Sequence, residues 1–221
     1  MTTIKKAIVL LSGGLDSATV LWLAKKRHKP FCLIFNYNQR HKKEIESAKK
    51  IALKAGCDCK VIKLELPEGN CSLTNMKMSL PASHSTQLIG EKIPSTYVPA
   101  RNLIFLSLAV SYAESTGAEA VFIGANAVDF SGYPDCTPDF FKAFRQTIKK
   151  GTKSGKKTPV KIMVPLLNKS KDEIIKTGLK LKVPYELTWS CYQGGSSPCG
   201  KCDSCLLRKE GFRKAGIIDP A

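Results

Sequence analysis

The sequence predicts an α/β fold: a five-stranded, mostly parallel sheet flanked by helices, with a small C-terminal segment of different character. Three observations carry that expectation. Short apolar runs alternate with longer stretches of helical period along most of the chain. The opening order is β-α-β-α-β, and such crossovers join parallel strands. The last thirty residues then become rich in Cys, Gly and Ser.

The elements follow in order. IKKAIVLL (4–11) is a short apolar run stopped by Gly13-Gly14 and reads as a buried strand. SATVLWLAKK (17–26) suits a helix, with Val20, Leu21, Leu23 and Ala24 on its apolar side. FCLIFNY (31–37) is a second buried strand. In HKKEIESAKKIALKAG (41–56), Ile45, Ala48, Ala52 and Ala55 recur at helical spacing, charges fill the rest and Gly56 closes the helix. CKVIKLEL (59–66) is a third strand. Residues 67–95 interrupt the alternation with three prolines, two glycines and many Ser, Thr and Asn, as expected of a lid or a disordered insert. NLIFLSLAVSYAEST (102–116) resumes as a helix, apolar on nearly every side and so expected deep in the fold. AEAVFIGAN (118–126) is a fourth strand. TPDFFKAFRQTIKKG (137–151) starts a helix with Thr137 as N-cap and Pro138 in its first turn. KIMVPLL (161–167) is a fifth strand, and Ser170 caps the helix after it. No internal repeat is visible. Residues 1–185 read as one domain and 186–221 as its appended four-cysteine segment.

With 221 residues, 43% hydrophobic and 24% charged, the chain is an ordinary globular domain. It has no apolar run of membrane-spanning length, and its N-terminal apolar stretch is too short for a secretory signal. A cytoplasmic protein is expected. The net charge of +17 favours anionic partners, namely nucleotides, phosphorylated metabolites or RNA, although a well-solvated lysine surface accounts for it equally well. The densest basic stretch, KKGTKSGKKTPVK (149–161), reads as an exposed, mobile loop. Within it GTKSGKKT imitates a Walker A loop, but three residues rather than four separate glycine from GK, and no strand precedes it.

The stretch SGGLDS (12–17) stands where the first strand gives way to the first helix. In parallel sheets ligands bind at that end. Gly13 and Gly14 permit close backbone approach, successive N–H groups at the helix start cradle an anion, and Ser12 and Ser17 add hydroxyls. Asp16 would repel phosphate unless a cation lies between them, and Mg²⁺ bound to the phosphates reconciles the two. A bare Gly-Gly turn with Asp16 as a capping charge is the plain alternative.

Of nine cysteines, Cys191, Cys199, Cys202 and Cys205 lie together with the spacing C-x7-C-x2-C-x2-C. Four thiolates able to converge on one tetrahedral ion point to a structural zinc site. A redox-active C-x-x-C or a persulfide carrier is the alternative. Cys32, Cys57, Cys59, Cys71 and Cys136 are scattered and read as small buried or incidental residues.

SGGLDS after a first strand resembles the PP-loop of the ATP pyrophosphatase superfamily. That resemblance implies a Rossmann-like fold, cleavage of ATP between the α- and β-phosphates, and transfer of AMP to a substrate oxygen. It places ATP on Leu10, Leu11, Ser12, Gly13, Gly14, Leu15, Asp16, Ser17, Ala18, Thr19 and Val20, with adenine near Phe35. YNQRH (37–41), VPARNLIFLSLA (98–109), DFSGYPDCTPDF (129–140) and the cysteine tail with Arg208 resemble one family in particular, the 7-cyano-7-deazaguanine synthases of queuosine precursor biosynthesis. The resemblance runs from the first strand to about Phe212. It departs at Thr137, where arginine is usual.

What it implies is a nitrile made from 7-carboxy-7-deazaguanine and ammonia in two ATP-dependent rounds, through an adenylated acid, an amide and an adenylated amide. Asp16, Lys171 and Arg101 are the expected catalytic residues, and Arg40, His41, Asp129, Tyr133 and Asp135 the expected substrate contacts. The two aspartates suit the adjacent N–H donors of a guanine-like face. The family implies a homodimer, with no membrane and no required nucleic acid. The rivals are a PP-loop tRNA thiolase using the C-terminal cysteines, another amide-forming ligase of the superfamily, and a zinc-ribbon RNA-binding module.

Overall fold

The computed structural model describes residues 4–67, 69–80, 93–126 and 132–221. Strands β1 (Lys5–Leu10), β2 (His28–Asn36), β3 (Cys59–Lys63), β4 (Ala120–Phe122) and β5 (Lys161–Met163) form one sheet in the order β3-β2-β1-β4-β5. All pairings are parallel: Ile8 lies opposite Phe31 on one side and Val121 on the other, Cys32 opposite Cys59, and Val121 opposite Ile162. Helices α1 (Leu15–Lys25), α2 (Lys43–Lys54), α3 (Arg101–Thr116) and α4 (Pro138–Gly151) lie between the strands, and α5 (Lys171–Lys180) and α6 (Asp203–Ala215) follow them. Among the described residues no helix is long and apolar enough to cross a membrane.

From β1 the chain steps outward to β2 and β3, then crosses back to β4 and β5. With one handedness of crossover, reversing direction moves the helices to the opposite face. Accordingly α1 and α2, with α5 and α6, bury against Ala7, Val9, Cys32 and Ile34, while α3 and α4 bury against Ile8, Leu10, Leu33 and Phe35. The period-two alternation along β1 therefore feeds two cores, and the central strands are apolar on both faces. The reversal opens a crevice between the carboxyl ends of β1 and β4, the usual ligand position in such sheets.

Several boundaries differ from the sequence expectation for identifiable reasons. β2 starts at His28 because backbone pairing with Lys5 and Lys6 recruits the polar His28 and Lys29 into the ladder. β4 and β5 stop after three residues, since the chain beyond Phe122 leaves the sheet to wall the crevice. α3 is not deep on all sides: Leu103, Ser107 and Ser111 form an exposed stripe at helical spacing, opposite the buried Leu106, Ala109 and Ala113. The stretch 149–161 is not a loose loop. Lys149–Gly151 complete α4, and Gly155 sits so close to the helix end that a Cβ there would lie 2.4 Å from the Ile148 carbonyl oxygen. The expected caps are present: the Phe140 N–H donates to Thr137 Oγ1 at 3.2 Å, and the Ser170 N–H donates to Glu173 at 2.8 Å in a capping box.

The C-terminal segment packs on the same body. Phe212 of α6 meets Tyr185 edge to face, and the Tyr185 hydroxyl shares a 2.8 Å hydrogen bond with Thr19 of α1. Tyr185 fits only because Gly178 of α5 has no side chain; a Cβ there would lie 1.8 Å from the hydroxyl. Gly178→Ala is expected to destabilise the fold by about 1–3 kcal/mol through overpacking, read as a lower urea midpoint at unchanged m-value.

Candidate active site

The crevice forms a cavity whose floor is the β1–α1 connection, with Leu10, Leu11, Ser12, Gly14, Leu15, Asp16 and Ser17 on its wall. Gly14 is the N-cap of α1 and contributes no side-chain cap, so the first turn keeps its N–H groups for a ligand. The loop is braced from within: Ser17 Oγ donates to the Gly14 carbonyl at 3.0 Å, and the Gly14 N–H donates to Ser12 Oγ at 3.3 Å. Gly13 has φ +89° and is wedged against α2, where a Cβ would come within 2.2 Å of the Glu44 carbonyl oxygen. Its own carbonyl accepts the Trp189 N–H at 2.9 Å.

Ala18, Thr19 and Val20, expected among the ATP contacts, do not line the cavity. α1 begins at Leu15, two residues earlier than expected, so these side chains lie past the first residues of the helix and are fully buried in the core. Thr19 Oγ1 is engaged with the Leu15 carbonyl at 2.9 Å. Phe35 does line the cavity, stacked on Phe105 of α3 with ring centroids 4.0 Å apart.

Asp16 and Lys171 come together from opposite ends of the sequence. Lys171 Nζ donates to both Asp16 oxygens, at 2.8 and 3.0 Å, and both residues face the cavity. Lys171 opens α5, and Gly211 of α6 packs on its stem, where a Cβ would lie 2.4 Å from Lys171 Cγ.

Arg101, the first residue of α3, faces the same space and donates to the Tyr37 hydroxyl at 3.1 Å. Burial alone would push its pKa down, but Tyr37, Tyr133 and Asp135 hold it above the ordinary arginine value. Burial raises the phenols of Tyr37 and Tyr133, against the opposing field of Arg101. Tyr133 lines the cavity and shares a 2.8 Å hydrogen bond with the Thr96 hydroxyl. His41 also faces the cavity; its imidazole pKa is lowered, chiefly by burial, and its buried Nδ1 has no partner among the described residues.

Two expected substrate contacts are employed elsewhere. Asp135 is buried and absent from the cavity wall, with Oδ2 accepting the Asn102 N–H at 2.9 Å as a cap for α3. Arg40 reaches the wall, yet its guanidinium donates to the carbonyls of Ser72 and Met78, both at 2.9 Å, and so clamps the base of the 67–95 insert. The Ser72 N–H to Ser95 carbonyl bond, 2.8 Å, stitches the two ends of that insert together. Asp129 lies outside the described residues.

Glu44, like Trp189 and Tyr192, lines the wall without having been among the expected site residues; for Glu44 the reason is that the charges of an amphipathic helix read as solvated. Its nearness to the YNQRH stretch was the available signal. Burial raises its carboxyl to about 7, with Arg101 pulling the other way.

Four sulfurs, those of Cys191, Cys199, Cys202 and Cys205, lie within 4.8 Å of one another. The Cys199 and Cys205 sulfurs are 4.0 Å apart, near the edge of a tetrahedron of metal–thiolate bonds. Backbone N–H groups of Gln193 and Cys199 point at Cys191 Sγ at 3.4 and 3.3 Å, and those of Lys201 and Cys202 at Cys199 Sγ, both at 3.4 Å. Donors aimed at sulfur suit thiolates, so the cluster fits a metal ion. The segment also reaches the cavity, contributing Trp189, Ser190, Tyr192 and Arg208 to its wall.

A family model described as "Queuosine biosynthesis protein QueC" matches residues 6–216. The chain belongs to the QueC family. Relatives named 7-cyano-7-deazaguanine synthase include one from Thermoplasma volcanium, 52% identical over 98% of this chain and 90% of its own, and one from Nostoc punctiforme, 48% identical over 97% and 98%. The fold is shared with solved structures of lower identity. The U34-tRNA thiolase NcsA from Methanococcus maripaludis has a TM-score of 0.51 at 18% identity, over 96% of this chain and 66% of that one. NMN synthetase from Francisella tularensis has a TM-score of 0.51 at 16% identity, over 98% of this chain and 79% of that one.

The Glu44 carboxyl holds its proton more tightly in the folded chain than in the unfolded one. Its contribution to stability is therefore full below about pH 4.5 and is lost as pH rises through about 7. Glu44→Gln is expected to be more stable than the native chain above pH 8, by about 1–3 kcal/mol, with the difference vanishing below pH 4.5 in parallel denaturant titrations.

Proposed function

We propose that this protein converts 7-carboxy-7-deazaguanine and ammonia into 7-cyano-7-deazaguanine, adenylating first the acid and then the amide at one site. The observation that carries the reading is the meeting of Asp16 and Lys171 at 2.8 Å on the wall of a cavity floored by the SGGLDS loop. A carboxylate is a poor electrophile and an amide oxygen a poor leaving group; joining AMP to either oxygen corrects both. The loop N–H groups take the departing pyrophosphate, and Lys171 offsets the charge that develops as it leaves. Asp16 is the residue to hold Mg²⁺ on the phosphates, and the metal supplies charge neutralisation there. Tyr133 and the Phe35–Phe105 pair offer aromatic surface to the two bases. Arg101, half-buried and cationic, suits the substrate carboxylate.

The four-cysteine cluster is read as a structural zinc site, since four thiolates leave no open position. Its role would be to hold Trp189, and through it Gly13, in place. The thiolase alternative gains nothing specific, because all four clustered cysteines lie close enough to be used up in holding one ion.

Mass spectrometry of the protein with Mg-ATP, ammonium and 7-carboxy-7-deazaguanine is expected to show the nitrile with AMP and pyrophosphate. ADP as the nucleotide product, or no turnover, would refute the reading. Lys171→Met is expected to lower kcat at least about a hundredfold without unfolding the chain. Cys202→Ser is expected to lose the metal, lower Tm and weaken ATP binding about tenfold together, followed by metal analysis and calorimetry.

A further inference from the structure

We propose that Glu44 is the ammonium site of this centre: its carboxylate binds the cation, takes one proton from it, and leaves ammonia beside the activated carbon. The proposal rests on the synthase reading above and names the group that delivers its nitrogen.

Position is the first argument. Glu44 lies in the first turn of α2 and faces the cavity shared by Gly14, Asp16, Lys171 and Arg101. Its own backbone carbonyl lies against Gly13, so α2 touches the anion-binding loop directly. Charge is the second. The cavity is built for anions, and a carboxylate there is repelled unless it carries a cation or a proton. Among the described wall residues only Asp16 and Glu44 are carboxylates, and Asp16 is already committed to other cations, Lys171 at 2.8 Å and the Mg²⁺ that the reading above assigns to it. No hydrogen bond or ion pair to the Glu44 carboxylate is found among the described residues. The groups facing it are Arg101 of α3, which is hydrogen-bonded to Tyr37 at 3.1 Å, and Tyr37 itself beyond β2.

The chemistry supplies the third. At neutral pH ammonia is mostly ammonium, which has no lone pair to donate. The neighbouring Arg40, Arg101 and Lys171 would repel it, so a cation needs an anionic landing point. Partial burial leaves the Glu44 carboxyl poised near neutrality, suited to accept a proton. In the step, ammonium gives a proton to Glu44. The nitrogen lone pair forms the C–N bond while the C–O bond to AMP breaks, and the phosphate oxygen leaves with that electron pair. The second nitrogen proton passes to the phosphate or to water, and Glu44 returns its own to solvent. In the second round the same carboxylate stands beside the nitrogen that must lose a proton as the nitrile forms.

The test compares ammonium with hydroxylamine, a nucleophile already uncharged at neutral pH. With the acid and Mg-ATP, native protein is expected to use both. Glu44→Gln is expected to lose about a hundredfold in rate with ammonium but to retain most of its rate with hydroxylamine, so the ratio shifts at least about tenfold. An unchanged ratio, or recovery of the ammonium rate by raising Mg²⁺, would overturn the assignment, the second by making Glu44 a metal ligand. A measurement on native protein needs no variant. If ammonium binds to ionised Glu44, kcat/KM for total ammonium levels off above about pH 7.5; if free ammonia binds instead, it climbs about tenfold per pH unit toward pH 9, and the proposal fails. Native protein that releases no pyrophosphate with either nucleophile would instead remove the synthase reading itself, and the Glu44 proposal with it.

Discussion

Backbone meets backbone at Gly13, and much of the site depends on that contact. The loop turns there with a positive φ at Gly13, directly under the first turn of α2, where no Cβ fits. The end of β4 closes on the same region: a Cβ on Gly124 would lie 3.0 Å from the Ser17 nitrogen. Trp189, from the C-terminal segment, ties to the Gly13 carbonyl on another side. Three parts of the chain distant in sequence thus fix one short loop, and each supplies a wall of the cavity.

The C-terminal segment becomes intelligible from this arrangement. Buried Arg208 donates to Asp219 through two nitrogens, at 2.7 and 2.8 Å, and to Thr188 Oγ1 at 2.7 Å, so the chain end is fastened across the stretch that leads into Trp189. A buried guanidinium is tolerable only when paired and hydrogen-bonded in this way. The cysteine cluster holds the other end of the same stretch. The two together hold Trp189, Ser190 and Tyr192 against the cavity, which links the cysteine cluster to the candidate active site.

Much of this was legible in the sequence, and for physical reasons. Apolar runs ending in glycine marked the strands, and SGGLDS was readable because glycine, hydroxyl and carboxylate together have few structural uses at a strand end. The four cysteines declared themselves by spacing. The serines of α3 carried a signal that was read too coarsely: Ser107 and Ser111, four residues apart, marked its exposed stripe. The part played by Glu44 and the place of Asp135 were not legible. Glu44 looks like an ordinary helix charge until the fold sets it in the cavity wall, and Asp135, singled out as a substrate contact, lies instead beneath the N-terminus of α3, a placement that only the fold discloses. Arg40 was legible as important, but its service to the insert depends on carbonyls more than thirty residues away.

On the proposed function, the loop lets AMP be joined to a substrate oxygen and then depart with it. Substrate acid carrying ¹⁸O in both carboxylate oxygens tests it most directly. Two AMP molecules are expected to form per nitrile, each carrying one ¹⁸O, the first from the acid and the second from the amide, with none in pyrophosphate. Unlabelled AMP, or label in pyrophosphate or water, would contradict it.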